Sequence, residues 1–320
     1  MQTRRTIVIP SGADPLFIGT PQLEKLKQLC RVVAYEDAPK TVQELVRRTA
    51  DAEIAITTSG TPLWSEQVFR GLPKLKLLIA ASVGVDEIDL SAAKAHGVIV
   101  CNVPGKTSPT VAEHAFGLMF AAAKRAPAQT AALKRGVWSP QQNMLLQGKT
   151  LGIVGLGNTG TQIARLAKGI GMNVLAWTFT PSDQRARESG VRFVAFDDLL
   201  RQSDVVSLHV ALTDRTRYLI GQRELGLMKR GALLVNCSRG AVVDTDALVD
   251  ALNSGHLSGA ALDVFEQEPL PRNSPLLSCE NVVLTPHVAD STPEARAALR
   301  EGVVENAAAF LAGEPQNIVT

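Results

Sequence analysis

Residues Thr150 to Val154 form a short β-branched, apolar run that passes directly into Gly155-Leu156-Gly157-Asn158-Thr159-Gly160. An amphipathic stretch then opens at once, with Ile163, Ala164, Leu166, Ala167 and Ile170 at helical spacing. Strand, Gly-x-Gly-x-x-Gly and helix in that order constrain the fold more than any other feature of the chain. The first glycine permits a tight turn, the second lets the backbone approach a pyrophosphate, and the third lets the helix pack closely on the strand. The helix N-terminus adds unsatisfied N–H groups and the positive end of its dipole, so the segment reads as a dinucleotide-binding turn.

The same alternation runs through the rest of the chain. Before the glycine loop, strands are expected at Thr6 to Pro10, Arg31 to Tyr35, Glu53 to Thr57, Leu75 to Ala80 and Gly97 to Asn102. Helical patterns lie between them, around Leu23 to Leu29, Val42 to Arg48, Glu66 to Leu72 and Leu90 to Ala95. Beyond the loop, further strands are expected at Asn173 to Trp177, Arg192 to Phe196, Val205 to Val210, Ala232 to Cys237, Gly259 to Val264 and Val282 to Thr285. Strands alternating with helices over short connections imply parallel sheets covered on both faces, with ligands at the carboxyl ends of the strands. Two long helices are expected, Ser108 to Ala126 and Glu294 to about Leu311. The reading is α/β, with two doubly wound parallel-sheet domains joined by these helices. The expected boundaries are 1–103 with 288–320 for one domain and 104–287 for the other.

Three hundred and twenty residues exceed one comfortable core, which agrees with two domains. The 33 basic and 31 acidic residues are interspersed, so no electrostatic footprint for nucleic acid or an anionic membrane stands out, and a small molecule is the expected partner. No apolar run reaches the length of a membrane span, and Met1-Gln2-Thr3-Arg4-Arg5 is followed by only the short run Thr6 to Pro10 and then turn residues, too short for a signal-peptide core, so a cytoplasmic location is expected. Cys30, Cys101, Cys237 and Cys279 lie far apart without a Cys-x-x-Cys pair, and are read as buried thiols rather than metal ligands or disulfides. No metal site is expected.

In an NAD-binding unit a carboxylate at the end of the second strand bonds the adenosine ribose. Here that strand ends in Thr178-Phe179-Thr180-Pro181-Ser182, the nearest acid is Asp183 in the next turn, and Arg185 and Arg187 follow. Both NAD(H) and NADP(H) therefore stand as cofactors.

Several further segments carry a resemblance: Ser82-Val83-Gly84-Val85-Asp86, Asn102-Val103-Pro104-Gly105 with Val111-Ala112-Glu113, Asn236-Cys237-Ser238-Arg239-Gly240, Ala261 through Pro269, and Thr285-Pro286-His287. With the glycine loop, and in this order over nearly the whole chain, they resemble the D-isomer-specific 2-hydroxyacid dehydrogenase family, which includes D-lactate, D-glycerate, glyoxylate/hydroxypyruvate and 3-phosphoglycerate dehydrogenases. The resemblance implies a flavodoxin-like substrate domain built from the two chain ends, a Rossmann NAD(P)-binding domain in the middle, and a homodimer formed through the latter.

Reduction of a 2-keto acid needs a cation for the carboxylate, a donor where charge develops on the carbonyl oxygen, and a proton source. The resemblance gives these roles to Arg239 for the carboxylate and carbonyl, and to His287 with Glu268 as an acid/base dyad. The turn Ser82-Val83-Gly84 is expected to cradle the substrate carboxylate with backbone N–H groups. Expected cofactor contacts are Thr110, Gly155, Gly157, Asn158, Thr159, Gly160, Thr178, Val210, Ala211, Thr216, Cys237, Ser238, Arg239, Asp263 and His287. Asp263 is assigned to the nicotinamide carboxamide; at Ala211 the family usually has proline, so a backbone contact is the safer expectation there. Trp138 is read either as a dimer-interface residue or as one reaching the neighbouring subunit's cleft. His96, His114, His209 and His256 are read as structural or exposed.

The expected reaction is hydride transfer between NAD(P)H and C2 of a small 2-keto or D-2-hydroxy acid of the glyoxylate or hydroxypyruvate kind. The serine- and threonine-rich turns Ser11-Gly12 and Thr58-Ser59-Gly60 do not gather the arginines a phosphorylated acid would want. The chain's end at Thr320, after the closing helix, is read as leaving no appended regulatory domain. An NAD(H)-sensing, corepressor-like interaction protein on the same fold is the alternative. Formate oxidation is disfavoured by Glu268, where formate enzymes carry glutamine, and phosphite oxidation is a remote option.

Overall fold

The computed structural model describes residues 5–12, 17–58 and 60–320; Met1 to Arg4 and Ser59 of the Thr58-Ser59-Gly60 turn lie outside the described residues. The chain divides into two compact units, Met1–Thr107 with Ser291–Thr320, and Ser108–Asp290.

The first unit holds β1 (Thr6–Ile9), β2 (Arg31–Ala34), β3 (Ile54–Thr57), β4 (Leu77–Ala80) and β5 (Ile99–Cys101) in a parallel sheet of order β2-β1-β3-β4-β5, which is the flavodoxin arrangement. Its helices are α1 (Pro21–Leu29), α2 (Val42–Thr49), α3 (Glu66–Arg70), α4 (Leu90–Ala95) and α12 (Pro293–Leu311). Thr20, Thr41, Asp89 and Thr292 each cap a helix by accepting a backbone N–H from its first turn. Strands β3 and β4 are buried on both faces. Ile54, Ile56, Leu77 and Ile79 pack with Leu299, Val303 and Ala307 of α12, while Ala55, Leu78 and Ala80 pack with Trp64 and Phe69 on the other face. Two covered faces explain why these strands read as unbroken apolar runs.

The second unit holds β6 (Thr150–Val154), β7 (Asn173–Trp177), β8 (Arg192–Phe193), β9 (Val205–Leu208), β10 (Leu233–Asn236), β11 (Gly259–Leu262) and β12 (Val282–Leu284). All pair in parallel in the order β12-β11-β10-β9-β6-β7-β8, the Rossmann order with a seventh strand added. Strand order reverses between β6 and β9, and the glycine loop leaves β6 at that point. Helices α5 (Ser108–Ala123), α6 (Ala126–Lys134), α7 (Asn158–Gly169), α8 (Asp183–Ser189), α9 (Phe196–Gln202), α10 (Gln222–Leu227) and α11 (Thr245–Asn253) complete the unit. The chain passes between units at 107/108 and 290/291, just ahead of the long helices α5 and α12.

Three sequence expectations need correction. The helix expected over Ser108 to Ala126 stops at Ala123, and a second helix, α6, begins at Ala126. Arg125 breaks it with a left-handed backbone at φ 49°, and Pro127, read as a terminator, sits in the first turn of α6 where its missing N–H costs nothing. The strand expected to reach Phe196 ends at Phe193, because Phe196 already opens α9, whose first turn carries Asp197 and Asp198. Cys279 is only partly buried, since it follows the 3-10 turn Pro275–Ser278 ahead of the edge strand β12; Cys30, Cys101 and Cys237 are buried.

Candidate active site

The glycine loop has the shape a dinucleotide needs. Gly155 has φ +98°, and a Cβ there would lie 2.8 Å from the carbonyl of His209. At Gly160 a Cβ would come within 2.2 Å of the Gly155 carbonyl oxygen, so α7 approaches β6 only because that position lacks a side chain. A Cβ at Gly157 would meet nothing within 4 Å, so this side of the loop is open. Gly157 also caps α7 without a side-chain bond, leaving the helix's first N–H groups for a ligand. Asn158 is exposed and Thr159 half-buried, its hydroxyl donating to Ser108 Oγ at 3.3 Å. These residues fit a pyrophosphate.

Thr178 follows β7 and is half-buried. Val210 packs its Cγ1 where a Gly155 side chain would stand, and Ala211 is exposed. Thr216, expected at the cofactor, is 1% exposed. Its hydroxyl donates to the Ala211 carbonyl at 2.6 Å and accepts from Thr213 N–H at 2.7 Å, so it shapes the 211–216 turn from within. Thr110 sits half-buried in the first turn of α5.

Arg239 stands just past β10 on a turn braced by Asn236, which is 1% exposed. Asn236 Nδ2 donates to the Arg239 carbonyl at 2.9 Å, and its Oδ1 accepts from Ser238 N–H at 3.0 Å and Ser238 Oγ at 2.8 Å. The Ser238 hydroxyl is therefore spent on the turn. Cys237 is buried beside it, and burial, reinforced by the charge of Asp263, pushes its thiol far up and keeps it neutral. At Gly240 the turn presses on the neighbouring loop: a Cβ there would lie 1.8 Å from the carbonyl carbon of Phe265. Phe265 N–H in turn donates to Glu268 Oε1 at 2.9 Å. One backbone contact thus ties the Arg239 turn to the loop that carries Glu268.

His287 follows β12, and its Nδ1 lies 2.6 Å from Glu268 Oε2. The Glu268 bond is the main influence on the imidazole and raises its pKa despite partial burial and the nearby positive charge of Arg239. Burial alone would raise the Glu268 carboxyl, but the bonds from His287 and Phe265 and the charges of His287 and Arg239 hold it below the usual carboxylate range. With Nδ1 committed to Glu268, Nε2 is the atom free to exchange a proton with a ligand.

The backbone of His287 is left-handed at φ 51°, a conformation that persists in such a residue only when its surroundings impose it. Asp263 imposes it. This aspartate is completely buried; its carbonyl accepts from His287 N–H at 2.8 Å, and its carboxylate accepts from Val288 N–H at 3.0 Å and Ala289 N–H at 2.9 Å. Thr285 Oγ1 donates to Asp263 Oδ1 at 2.5 Å, and His114 Nε2 of α5 lies 3.1 Å from Thr285 Oγ1 and 3.3 Å from Asp263 Oδ1. The carboxylate assigned from sequence to the cofactor is thus surrounded by protein donors that hold the His287 loop. Asn236, Thr285 and His114 were not given these positioning roles from sequence; the first lay in a quoted motif, but nothing local in sequence marks their partners.

His209, at the end of β9, bonds Ser207 Oγ at 2.8 Å, and burial drives its pKa down to about 4, so it is a neutral structural imidazole. In the first unit, Ser82 Oγ donates to the Gly84 carbonyl at 2.6 Å, Asn102 Nδ2 to the Val83 carbonyl at 2.7 Å, and Val103 N–H to the Ser82 carbonyl at 2.9 Å. Those bonds fix the turn through its carbonyls, and Val83 is exposed.

A family model described as D-isomer specific 2-hydroxyacid dehydrogenase, NAD binding domain, matches residues 116–289. Over 291 residues the chain is 42% identical to a glyoxylate reductase of Korarchaeum cryptofilum, covering 89% of this chain and 87% of the relative. It is also 42% identical over 283 residues to a D-3-phosphoglycerate dehydrogenase of Methanocaldococcus jannaschii, a match covering 87% of this chain and 54% of the relative. Its structure is similar to that of an NADPH-dependent glyoxylate/hydroxypyruvate reductase of Sinorhizobium meliloti in complex with NADP and malonate, with a TM-score of 0.86, 29% identity, and coverage of 99% of this chain and 97% of that one. The chain belongs to the D-isomer-specific 2-hydroxyacid dehydrogenase family, oxidoreductases that act on CH–OH donors, and its second unit is the NAD(P)-binding domain. Among the described residues no helix is long and apolar enough to cross a membrane.

Proposed function

We propose that this chain reduces a small 2-keto acid, of the size of glyoxylate or hydroxypyruvate, to the D-2-hydroxy acid. The observation that carries the reading is the 2.6 Å His287–Glu268 pair on loops locked to the Arg239 turn at Gly240. The bound dihydronicotinamide supplies the hydride equivalent that C2 accepts. Arg239 binds the carboxylate and the carbonyl oxygen, which its planar fork allows and a lysine would not. His287 delivers the proton from Nε2 as charge builds on that oxygen, and Glu268 holds the ring and favours its charged form. Ser82, Val83 and Gly84 lend backbone donors to the carboxylate. Gly155, Gly157, Asn158, Thr159 and Gly160 hold the pyrophosphate and Thr178 faces the ribose. Val210 and Ala211 contribute backbone. Thr110, Cys237, Ser238, Asp263 and His287 shape the nicotinamide end.

A small, unphosphorylated acid is supported by Arg48. Its guanidinium is committed to Asp37, Glu44 and the carbonyls of Pro10 and Asp37, and so braces the loops after β1 and β2 instead of offering itself to a phosphate. A second copy of the chain is the further partner proposed. Helix α6 buries none of its residues, and Leu133, Val137, Trp138 and Leu145 are exposed on it and on the segment that follows, Trp138 at 85%.

The test is absorbance at 340 nm with NADH and NADPH in parallel against glyoxylate, hydroxypyruvate, pyruvate, phenylpyruvate and 2-ketoisocaproate. Oxidation of cofactor by glyoxylate and hydroxypyruvate, faster than by the bulkier acids, is the expected result. Silence on every acid, with dinucleotide binding intact by calorimetry, would overturn the reading and favour a nucleotide-sensing role.

A further inference from the structure

The first unit's sheet ends on β5, and residues 317–320 run along the edge of that strand. Ile318 bridges Cys101 in antiparallel fashion, Val319 N–H donates to the Val100 carbonyl at 2.9 Å, and Asn102 N–H donates to the Asn317 carbonyl at 3.2 Å. Val319 is half-buried against the core face that holds Trp64 and Phe69, which anchors the segment. Asn317 stands where the chain turns onto the strand, with a left-handed backbone at φ 55° that asparagine adopts more readily than most residues.

The side chain of Asn317 begins a relay of amides. Its Nδ2 donates to Asn306 Oδ1 at 2.8 Å, and Asn306 Nδ2 donates to the Asn102 carbonyl at 2.8 Å. Asn306 lies on α12 and is 1% exposed, so its amide must find its partners inside the protein. The helix reaches them because Gly302, one turn earlier on the same face, lacks a side chain: a Cβ there would lie 2.4 Å from Val103 Cγ1. The main chain of Asn102 is thus pinned from both sides, its carbonyl by Asn306 and its N–H by the 317–320 segment. Its side chain then reaches the turn after β4, where Nδ2 donates to the Val83 carbonyl at 2.7 Å, and the next residue, Val103, donates its N–H to the Ser82 carbonyl at 2.9 Å.

A trans peptide points its N–H opposite to the carbonyl it shares a plane with. Holding the Ser82 and Val83 carbonyls therefore aims the N–H groups of Val83 and Gly84 the other way, and among the described residues neither N–H donates within the chain. We propose that Asn306 is a positioning residue for substrate binding: through Asn102 it sets the direction of the Ser82-Val83-Gly84 donors, and Asn317 fixes which end of its amide faces Asn102. The two ends of an amide differ only in donor and acceptor, so the bond from Asn317 to Oδ1 is what leaves Nδ2 turned to the Asn102 carbonyl. The inference rests on the proposed role of that turn in holding the keto acid's carboxylate.

The experiment is steady-state reduction of glyoxylate by Asn306→Ala, Asn317→Gly and Gly84→Pro, with cofactor affinity read by calorimetry and folding by thermal melts. The carboxylate is held alike in the ground and transition states, so misaligned donors raise KM more than they lower kcat. Asn306→Ala is expected to raise KM by about tenfold, with kcat within about threefold of wild type and the cofactor Kd unchanged. Asn317→Gly keeps the left-handed backbone and removes only the side-chain bond, and should raise KM by about threefold. Gly84→Pro deletes one of the donors itself and should raise KM at least as far as Asn306→Ala. A lowered Tm with wild-type KM in Asn306→Ala, beside a raised KM in Gly84→Pro, would overturn the proposal and leave the carboxylate site standing. Wild-type KM in Gly84→Pro would remove the turn from the substrate site and the proposal with it. If Asn306→Ala does not fold, Asn317→Gly decides, and an unchanged KM there overturns the relay.

Discussion

Gly240→Ala probes the contact that sets Arg239 and Glu268 in one frame. The new Cβ would stand 1.8 Å from the Phe265 carbonyl carbon and 2.3 Å from Glu266 N, where ordinary contact begins at 3.4 Å. Both obstacles are backbone, so no side chain can rotate away, and the two loops must part by about 1.6 Å. The Phe265 N–H bond to Glu268 moves with its loop, carrying the dyad away from the arginine. A displacement of about 1 Å in a positioned group costs about 100-fold in rate, so kcat/KM for the best keto acid should fall by about that factor or more. Overpacking of this kind costs about 1–3 kcal/mol, so Tm should also drop, by about 2–4 °C for each kcal/mol in a unit this size. Cofactor affinity, read by quenching of protein fluorescence, should fall much less than kcat/KM, because the glycine loop that holds the pyrophosphate is not displaced. A Gly240→Ala protein with wild-type kcat/KM would refute the reasoning.

Two shorter predictions follow from other parts of the molecule. His287 is raised by Glu268 and must be protonated to donate, so reduction should fall as pH rises through the raised pKa; Glu268→Gln removes the raising partner and should move that limb to lower pH in a kcat/KM profile. Trp138→Glu places a charge on the exposed face at α6 and should shift sedimentation from dimer toward monomer; an unchanged dimer would place the subunit contact elsewhere.

The parts of this fold that were legible in sequence are those where local chemistry and tertiary role coincide. The bounds of β6 and β7 were readable because an apolar run ends in glycine or turn residues on a buried sheet. The end of the strand expected over Val205 to Val210 was overread: ladder pairing stops at Leu208, and Val210 beyond it is apolar because it lies against Gly155. The break at Arg125 was not legible, since nothing in an arginine announces a left-handed backbone. The His287–Glu268 pair was recoverable through resemblance, and the structure brings the two side chains together. Thr216, Ser238 and Asp263 show the limit of such reading. Sequence places a polar group near a site, but which way its hydrogen bonds run depends on backbone partners, and here these lie in the Ala211 turn, at Asn236 and at Ala289.

The central claim is that Arg239 binds the keto acid and takes no part in holding the dinucleotide's adenosine end. Steady-state reduction of glyoxylate and hydroxypyruvate by wild type and Arg239→Ala, each with cofactor affinity measured directly by calorimetry, tests it most directly. Loss of the charge-assisted bonds to carboxylate and carbonyl should lower kcat/KM by about 100-fold or more while the cofactor Kd stays within about threefold. Turnover at the wild-type level in Arg239→Ala would contradict the account.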